Sequence, residues 1–496
     1  MVNKSDKYAP RLVLRFGGNP KRTTDNRTCP DILSGMAHGK WKNRTLSIQE
    51  QKDIDGYLLE ERIAFHIPTS FERLDGKCGN LSYEHAPLYR HMWFKAICDA
   101  KGPTPCCKEN RCVWASEQDC RCPDCYDERQ AVHAEYARWQ TSDKRCAVNN
   151  FSAEEACSVL RGANLEFVGD SFIRHMFAAT VILLSGGKEF AALVQPLPLE
   201  IQSICRGMHQ FTALQCRDYL NETHSLCNNT VQLRYTQAFP ASDFLFVPEI
   251  MRRAFKSPKS LLVMGLGIHD DFKFDTVRKG FLLPVLNLRQ FMACSPSKNK
   301  SSNGIYLDLG SVRTNFTTRN NTLDYLIQRN FKDKSFPWEN LRALAKAKFL
   351  DKAFFTAESS IGNLHESQHN KSYNPSSESA DAWTKGQKPI VFHQLPDRKL
   401  PVQHTSPNIL WIGTHAPGLL KAPKFKRQTA KGVSDYNFKV RKLLDKWKIP
   451  FMDTFSFTDG AVSYDGTHYG WGVNMLKANM LVQYVKEDLM NSKSWR

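Results

Sequence analysis

The reading of the chain turns on Asn164-Leu165-Glu166-Phe167-Val168-Gly169-Asp170-Ser171-Phe172-Ile173-Arg174-His175. A short apolar run ends in Gly-Asp-Ser, and a helix-like apolar run follows, from Phe172 to about Leu184. That order predicts a buried strand, a tight turn and a helix. Ser171 then stands at the carboxyl end of a strand, where open α/β sheets place their ligand chemistry. It also stands near a helix N-terminus, whose unpaired N–H groups can receive a developing negative charge. A serine hydroxyl is a weak nucleophile without a base. The question for the remaining sequence is whether it supplies one.

From Leu165 onward, strand-like and helix-like runs alternate. Phe244-Leu245-Phe246-Val247, ended by Pro248, reads as a strand, and so does Leu261-Leu262-Val263-Met264. Helical spacing runs from about Thr276 to Met292, interrupted by Pro284. Gly304-Ile305-Tyr306-Leu307, Asn408 to Gly413 and Ile449 to Asp453 read as further strands. Ser434 to Trp447 is a basic amphipathic helix, and Gly472 to Leu489 a closing one. Alternation of this kind predicts an α/β fold, a doubly wound parallel sheet with helices on both faces. Between residues 296 and 401 the rhythm breaks into a polar insertion, partly helical around Leu341 to Phe355.

Ahead of this lie a polar N-terminal stem, residues 1–77, with a weak strand signal at Arg11 to Leu14, and a cysteine-rich cap, residues 78–157. The sheet domain is expected over 158–490. The spacing of Val132, Tyr136 and Trp139 predicts a helix from Tyr126 to Trp139.

Fifteen cysteines lie between Cys29 and Cys294, ten of them from Cys78 to Cys157. Eleven Asn-x-Ser/Thr sequons accompany them, at Asn3, Asn26, Asn43, Asn80, Asn150, Asn221, Asn228, Asn299, Asn315, Asn320 and Asn370. Both features point to the secretory pathway, Golgi lumen or extracellular space, where disulfides persist and glycoproteins form. Cys122 and Cys125 could be half of a zinc site, but no second ligand pair stands at standard spacing. The cysteines therefore read as disulfides, and no metal is expected. The odd count leaves at least one thiol free or paired between chains. Residues 1–18 hold no apolar stretch of signal-peptide length. Membrane attachment would need an N-terminal anchor that this sequence does not contain. The net charge of +18 suits anionic ligands. Without an RNA-binding signature or zinc-finger spacing, it does not point to nucleic acid.

A base is available late in the chain, in Ser463-Tyr464-Asp465-Gly466-Thr467-His468-Tyr469-Gly470. A turn over Asp465 to His468 can press the carboxylate against one imidazole nitrogen and leave the other for Ser171. Gly265 to His269 follows a strand of its own. The Gly267 backbone and the His269 ring are candidates for holding an oxyanion, beside the Ser171 N–H. Gly186 or Gly187 would be a further oxyanion glycine. His175 shares a helical face with Ser171, His415 reads as a loop histidine, and Asp270 and Asp271 as loop carboxylates. Trp471 could stack on a sugar or join the core.

Phe167-Val168-Gly169-Asp170-Ser171-Phe172-Ile173-Arg174-His175, the glycine loop and Tyr464-Asp465-Gly466-Thr467-His468-Tyr469-Gly470 together resemble the SGNH/GDSL hydrolase superfamily. More narrowly, they resemble the PC-esterase group and the C-terminal domain of neurexophilin and PC-esterase (NXPE) proteins. That group includes the trichome-birefringence-like polysaccharide O-acetyltransferases and the Golgi sialic acid O-acetyltransferase. The resemblance covers roughly residues 157–490. It implies an acyl-serine mechanism with Ser171 as nucleophile, His468 as base and Asp465 as its orienter, and Gly169 and Asp170 shaping the turn. Where the superfamily carries Gly-x-Asn, this chain has Gly267-Ile268-His269. The implied function is glycan O-acyl, above all O-acetyl, transfer to a glycan or glycoprotein. No cofactor stays bound, and acetyl-CoA or another acyl donor serves as substrate. A carbohydrate O-acetylesterase and a non-catalytic secreted or membrane-tethered binding protein are the alternatives.

Overall fold

The computed structural model describes residues 28–86, 91–188, 190–205, 209–212, 214–241, 247–255, 257, 259–294, 408–492 and 495. The expected strands at Arg11 to Leu14 and Gly304 to Leu307, and the insertion at 296–401, lie outside these residues.

Six strands make one sheet: β1 Asn164–Gly169, β2 Thr223–Leu226, β3 Val231–Gln237, β4 Ser260–Gly265, β5 Asn408–Ile412 and β6 Phe451–Met452. Their spatial order is β6-β5-β4-β1-β3-β2. All pairs are parallel except the edge hairpin β2–β3. The buried strands are continuous apolar runs, as two-sided burial requires. In β4, Leu261 and Val263 face one core and Leu262 and Met264 the other.

The first core is covered by α2, Ser171–Leu184, and α6, Trp471–Tyr484. Every residue of α2 is buried, so it is a central helix rather than an amphipathic surface one. The opposite core is covered by α3 Val247–Phe255, α4 Leu283–Cys294 and α5 Ala430–Lys446. Glu166, buried on β1, is held by Arg253 from α3 at 3.0 Å.

The connection from β1 runs outward to β3, whereas the connection from β4 runs the other way, to β5. The adjacent strands β1 and β4 therefore flank the point where the winding reverses, and crevices for ligands form there. Gly169 and Gly265 are register partners at the carboxyl end of these two strands. A Cβ on Gly169 would lie 2.0 Å from the Gly265 carbonyl oxygen, so only glycine allows this approach.

Ahead of the sheet the chain is more ordered than the polar composition suggests. α1, Ile48–Ala64, opens on a capping box between Ser47 and Glu50. The helix expected from Tyr126 to Trp139 is instead a short 3₁₀ turn, Glu128–Gln130, followed by the strand Ala137–Thr141. That strand pairs with Gly39–Asn43 and buries Ala137, Trp139 and Thr141 in strict alternation. The period is two, and it overrides the looser helical spacing. Val247 and Pro248, read as the end of a strand, begin α3. Proline is at home in a first helical turn because its missing N–H has no partner there.

Seven disulfides join fourteen of the fifteen cysteines. Five of them, Cys29–Cys146, Cys78–Cys107, Cys98–Cys112, Cys106–Cys120 and Cys122–Cys125, hold the N-terminal region. These bonds are consistent with an oxidising secretory or extracellular setting. Among the described residues, no helix is long and apolar enough to cross a membrane. Of the described sequons, those at Asn43, Asn80, Asn150 and Asn228 are exposed and that at Asn221 half-buried.

Candidate active site

The turn after β1 is short because Asp170 caps α2, its Oδ1 accepting the Phe172 N–H at 3.0 Å. Ser171 is the first residue of α2, where backbone N–H groups have no acceptor within the helix. The partner loop lies between α5 and α6. Its hairpin closes on Ser463 and Tyr469, with the Tyr464 N–H bonded to the His468 carbonyl at 3.2 Å. Tyr469 pins it from below, its hydroxyl donating to the Ala416 carbonyl at 2.8 Å. Asn474 on α6 donates to the Tyr469 carbonyl at 2.7 Å.

These two loops bring three residues into one chain of hydrogen bonds. His468 Nε2 lies 2.7 Å from Ser171 Oγ, and His468 Nδ1 lies 2.7 Å from Asp465 Oδ2. The Asp465 carboxylate can only accept, so Nδ1 carries the proton and Nε2 is left to take the one on Ser171. The other Asp465 oxygen accepts the Thr467 and His468 N–H groups at 2.8 and 2.7 Å. Burial alone would raise the Asp465 pKa, but His468 and these N–H groups hold it down to about 2. Burial lowers the His468 pKa, with Arg174 and Arg217 adding to it and Asp465 opposing. The imidazole is therefore neutral, and able to act as a base, at neutral pH.

The glycine loop takes a different part. Gly267 has φ +147°, a conformation that side chains rarely adopt, and a Cβ there would lie only 2.7 Å from the Tyr436 hydroxyl. That hydroxyl donates to the Leu266 carbonyl at 2.7 Å. The loop backbone is thus held beside the β1–β4 crevice, and the Ile268 N–H reaches toward Asp170. His269 is exposed and stacks on Phe239 at 4.2 Å between centroids, whereas Phe172, His175 and Tyr464 are the rings around His468. The expectation of a role for Gly186 or Gly187 fails on geometry. They follow the far end of α2, roughly 20 Å from Ser171 at the rise of a helix.

Beneath the triad lies a layer of buried polar groups, of which sequence reasoning missed Lys477. Lys477 on α6 is fully buried, with Nζ 3.3 Å from His415 Nε2 and 3.4 Å from the Phe172 carbonyl. Burial brings its pKa down to about 7, with Asp170 opposing. Burial raises Asp170 to about 7, against the Phe172 and Ile268 N–H groups and Arg174. His175 and His415 are both buried and held well below their ordinary pKa by that burial. His415, read as a loop histidine, packs its ring on Phe172 at 4.4 Å. Trp471 packs against the first core. Asp270 and Asp271 are loop carboxylates: Asp270 accepts the Ala241 N–H at 3.0 Å, and Asp271 lies 3.6 Å from Arg427. Cys122 and Cys125 are bonded to each other and not to a metal.

Comparison with protein-family models, with curated proteins and with solved structures finds no match.

Proposed function

We propose that this chain is an SGNH-type, PC-esterase-like serine acyltransferase that moves an acetyl group onto a glycan hydroxyl in the secretory lumen. The observation that carries the reading is the continuous 2.7 Å and 2.7 Å link from Ser171 through His468 to Asp465, built from two loops 297 residues apart. Common loop residues do not align in this way unless the fold holds them there.

In the first half-reaction Ser171 Oγ attacks the acyl carbonyl of a donor such as acetyl-CoA. His468 Nε2 takes the hydroxyl proton, and the tetrahedral oxyanion is met by the Ser171 N–H and the glycine-loop backbone at Gly267. The intermediate collapses, the donor's thiolate leaves with the proton from His468, and an acyl-serine remains. In the second half a sugar hydroxyl gives its proton to His468 and attacks the acyl-serine, releasing the O-acylated sugar and restoring Ser171. Asp465 stabilises the imidazolium in both halves. Water in place of the sugar makes the same residues an esterase.

A fluorophosphonate probe tests the serine, and acetyl-CoA with glycan acceptors tests the transfer. Wild type is expected to be labelled at Ser171 and Ser171→Ala to be neither labelled nor active. Equal transfer by Ser171→Ala would end the assignment.

A further inference from the structure

The cleft between the N-terminal region and the Asp465–His468 loop is lined by charge of the opposite sign to the protein as a whole. Its cavity volume is about 160 Å³. Glu61, Glu128 and Glu135 line it, with Arg62 the one constant cation. His133, also on its wall, is pushed by burial below its ordinary pKa and is neutral. Three carboxylates against one guanidinium leave the lining at about −2, on a chain of net charge +18. Arg62 is already engaged with the Pro68 carbonyl at 2.9 Å.

Two further observations mark the cleft as a binding place. Ser463 lines it and is 3 % exposed, yet its hydroxyl has no hydrogen-bond partner among the described residues. An unpaired buried hydroxyl calls for a ligand or water. Phe71 and Leu420 add apolar wall, the surface against which the C–H faces of a sugar ring pack. The cleft also borders the triad. Tyr464 lines it on one side, and the same ring stacks on His468 at 6.0 Å.

We infer that this cleft binds a sugar carrying a free amine, with Glu61, Glu128 and Glu135 receiving its ammonium and hydroxyl donors and Ser463 Oγ completing the set. A sugar carboxylate or sulfate would meet like charge, so the acidic glycans that the overall charge attracts are excluded here. That the bound sugar is the acyl acceptor rests on the acyl-serine reading. The binding itself does not.

The test uses the full chain with Ser171→Ala, so that binding is measured without turnover. Titration calorimetry compares a glucosamine tetramer, its N-acetylated counterpart, a galacturonate tetramer and spermine. The glucosamine tetramer is expected to bind at least tenfold more tightly than each of the other three. Adding Glu128→Gln, at a half-exposed position, is expected to weaken that binding at least fivefold with melting temperature unchanged. Glu135→Gln, at a buried position where the amide oxygen can still accept the Gly472 N–H, serves as a second variant. The proposal is overturned if no sugar binds, if the galacturonate binds as well, if spermine matches the glucosamine tetramer, or if neither glutamine variant weakens binding. Loss of labelling at Ser171 in the wild type would sink the acyl-serine reading and leave these results standing.

Discussion

The sheet body and the N-terminal region hold their shapes by different means, and they meet at the Asp465–His468 loop. In the sheet body, α2 is buried along its whole length and locks with α6 over the parallel strands. Two disulfides, Cys157–Cys227 and Cys205–Cys216, lie at its periphery. The N-terminal region lends Ile32, Leu33, Met36 and Trp139 to the sheet's core and otherwise has short ribbons, small apolar clusters and five disulfides. A region that buries little apolar surface needs covalent constraint to stay folded.

Ser171 belongs to the first kind of structure. The loop of Asp465 and His468 leans on both. The Val132 N–H and carbonyl bond Gly460 and Val462 at 2.9 Å each, the Trp41 indole donates to the Phe457 carbonyl at 2.7 Å, and the Gly472 N–H bonds Glu135 at 3.2 Å. Ser171 is thus set by packing, and His468 by packing plus a stapled support.

The largest expected effect removes the orienter and touches neither region. Asp465→Asn keeps an oxygen for the Thr467 and His468 N–H groups but offers Nδ1 a donor in place of a carboxylate. The wrong tautomer is then favoured, and acylation is expected to fall roughly 10⁴-fold. The rate of fluorophosphonate labelling measures it, with an unchanged melting temperature as the control. A loss below tenfold would mean that Asp465 only shapes the turn.

Much of the sheet body was legible because its signals are local. A two-sided strand, a capped turn and a buried helix each leave a contiguous pattern, and the two loops that carry Ser171 and His468 are marked by glycine and aspartate. Lys477 and His415 were not legible. Only the packing of α6 on α2 places a lysine amine against an imidazole beneath Ser171, and nothing in Asn474-Met475-Leu476-Lys477 marks it. Strand β3 carries a period-two signal in Val231, Leu233 and Tyr235 with polar residues between them, and that alternation was there to be read. In the N-terminal region the cysteines announced disulfides, but pairing depends on which turns come together, and spacing does not encode that.

A smaller effect comes from cutting one staple. Cys29–Cys146 spans 117 residues and ties the helix Ile32–Ala37 to the end of the N-terminal region. Replacing both cysteines with serine is expected to cost about 2–5 kcal/mol of stability, read from denaturant unfolding. Far-UV circular dichroism of the sheet body should be retained. Loss of the whole circular dichroism signal at the same denaturant concentration would show that the two regions fold as one unit.

The smallest effect concerns the base. Burial is the main force lowering the His468 pKa, and Asp465 stays ionised because its own pKa lies at about 2. A base with a lowered pKa remains neutral at pH 6.5 and is lost only as pH falls through that lowered value. Labelling should therefore be flat from pH 8 down past 6.5 and then decline about tenfold per unit. In the Cys29/Cys146 double variant, water gains access to the loop from the side of Trp41 and Val132. Less burial lets the His468 pKa rise, and the acid limb should move toward higher pH. A limb that stays in place would mean that the sheet body alone sets the base, and that the staples serve stability without reaching the chemistry.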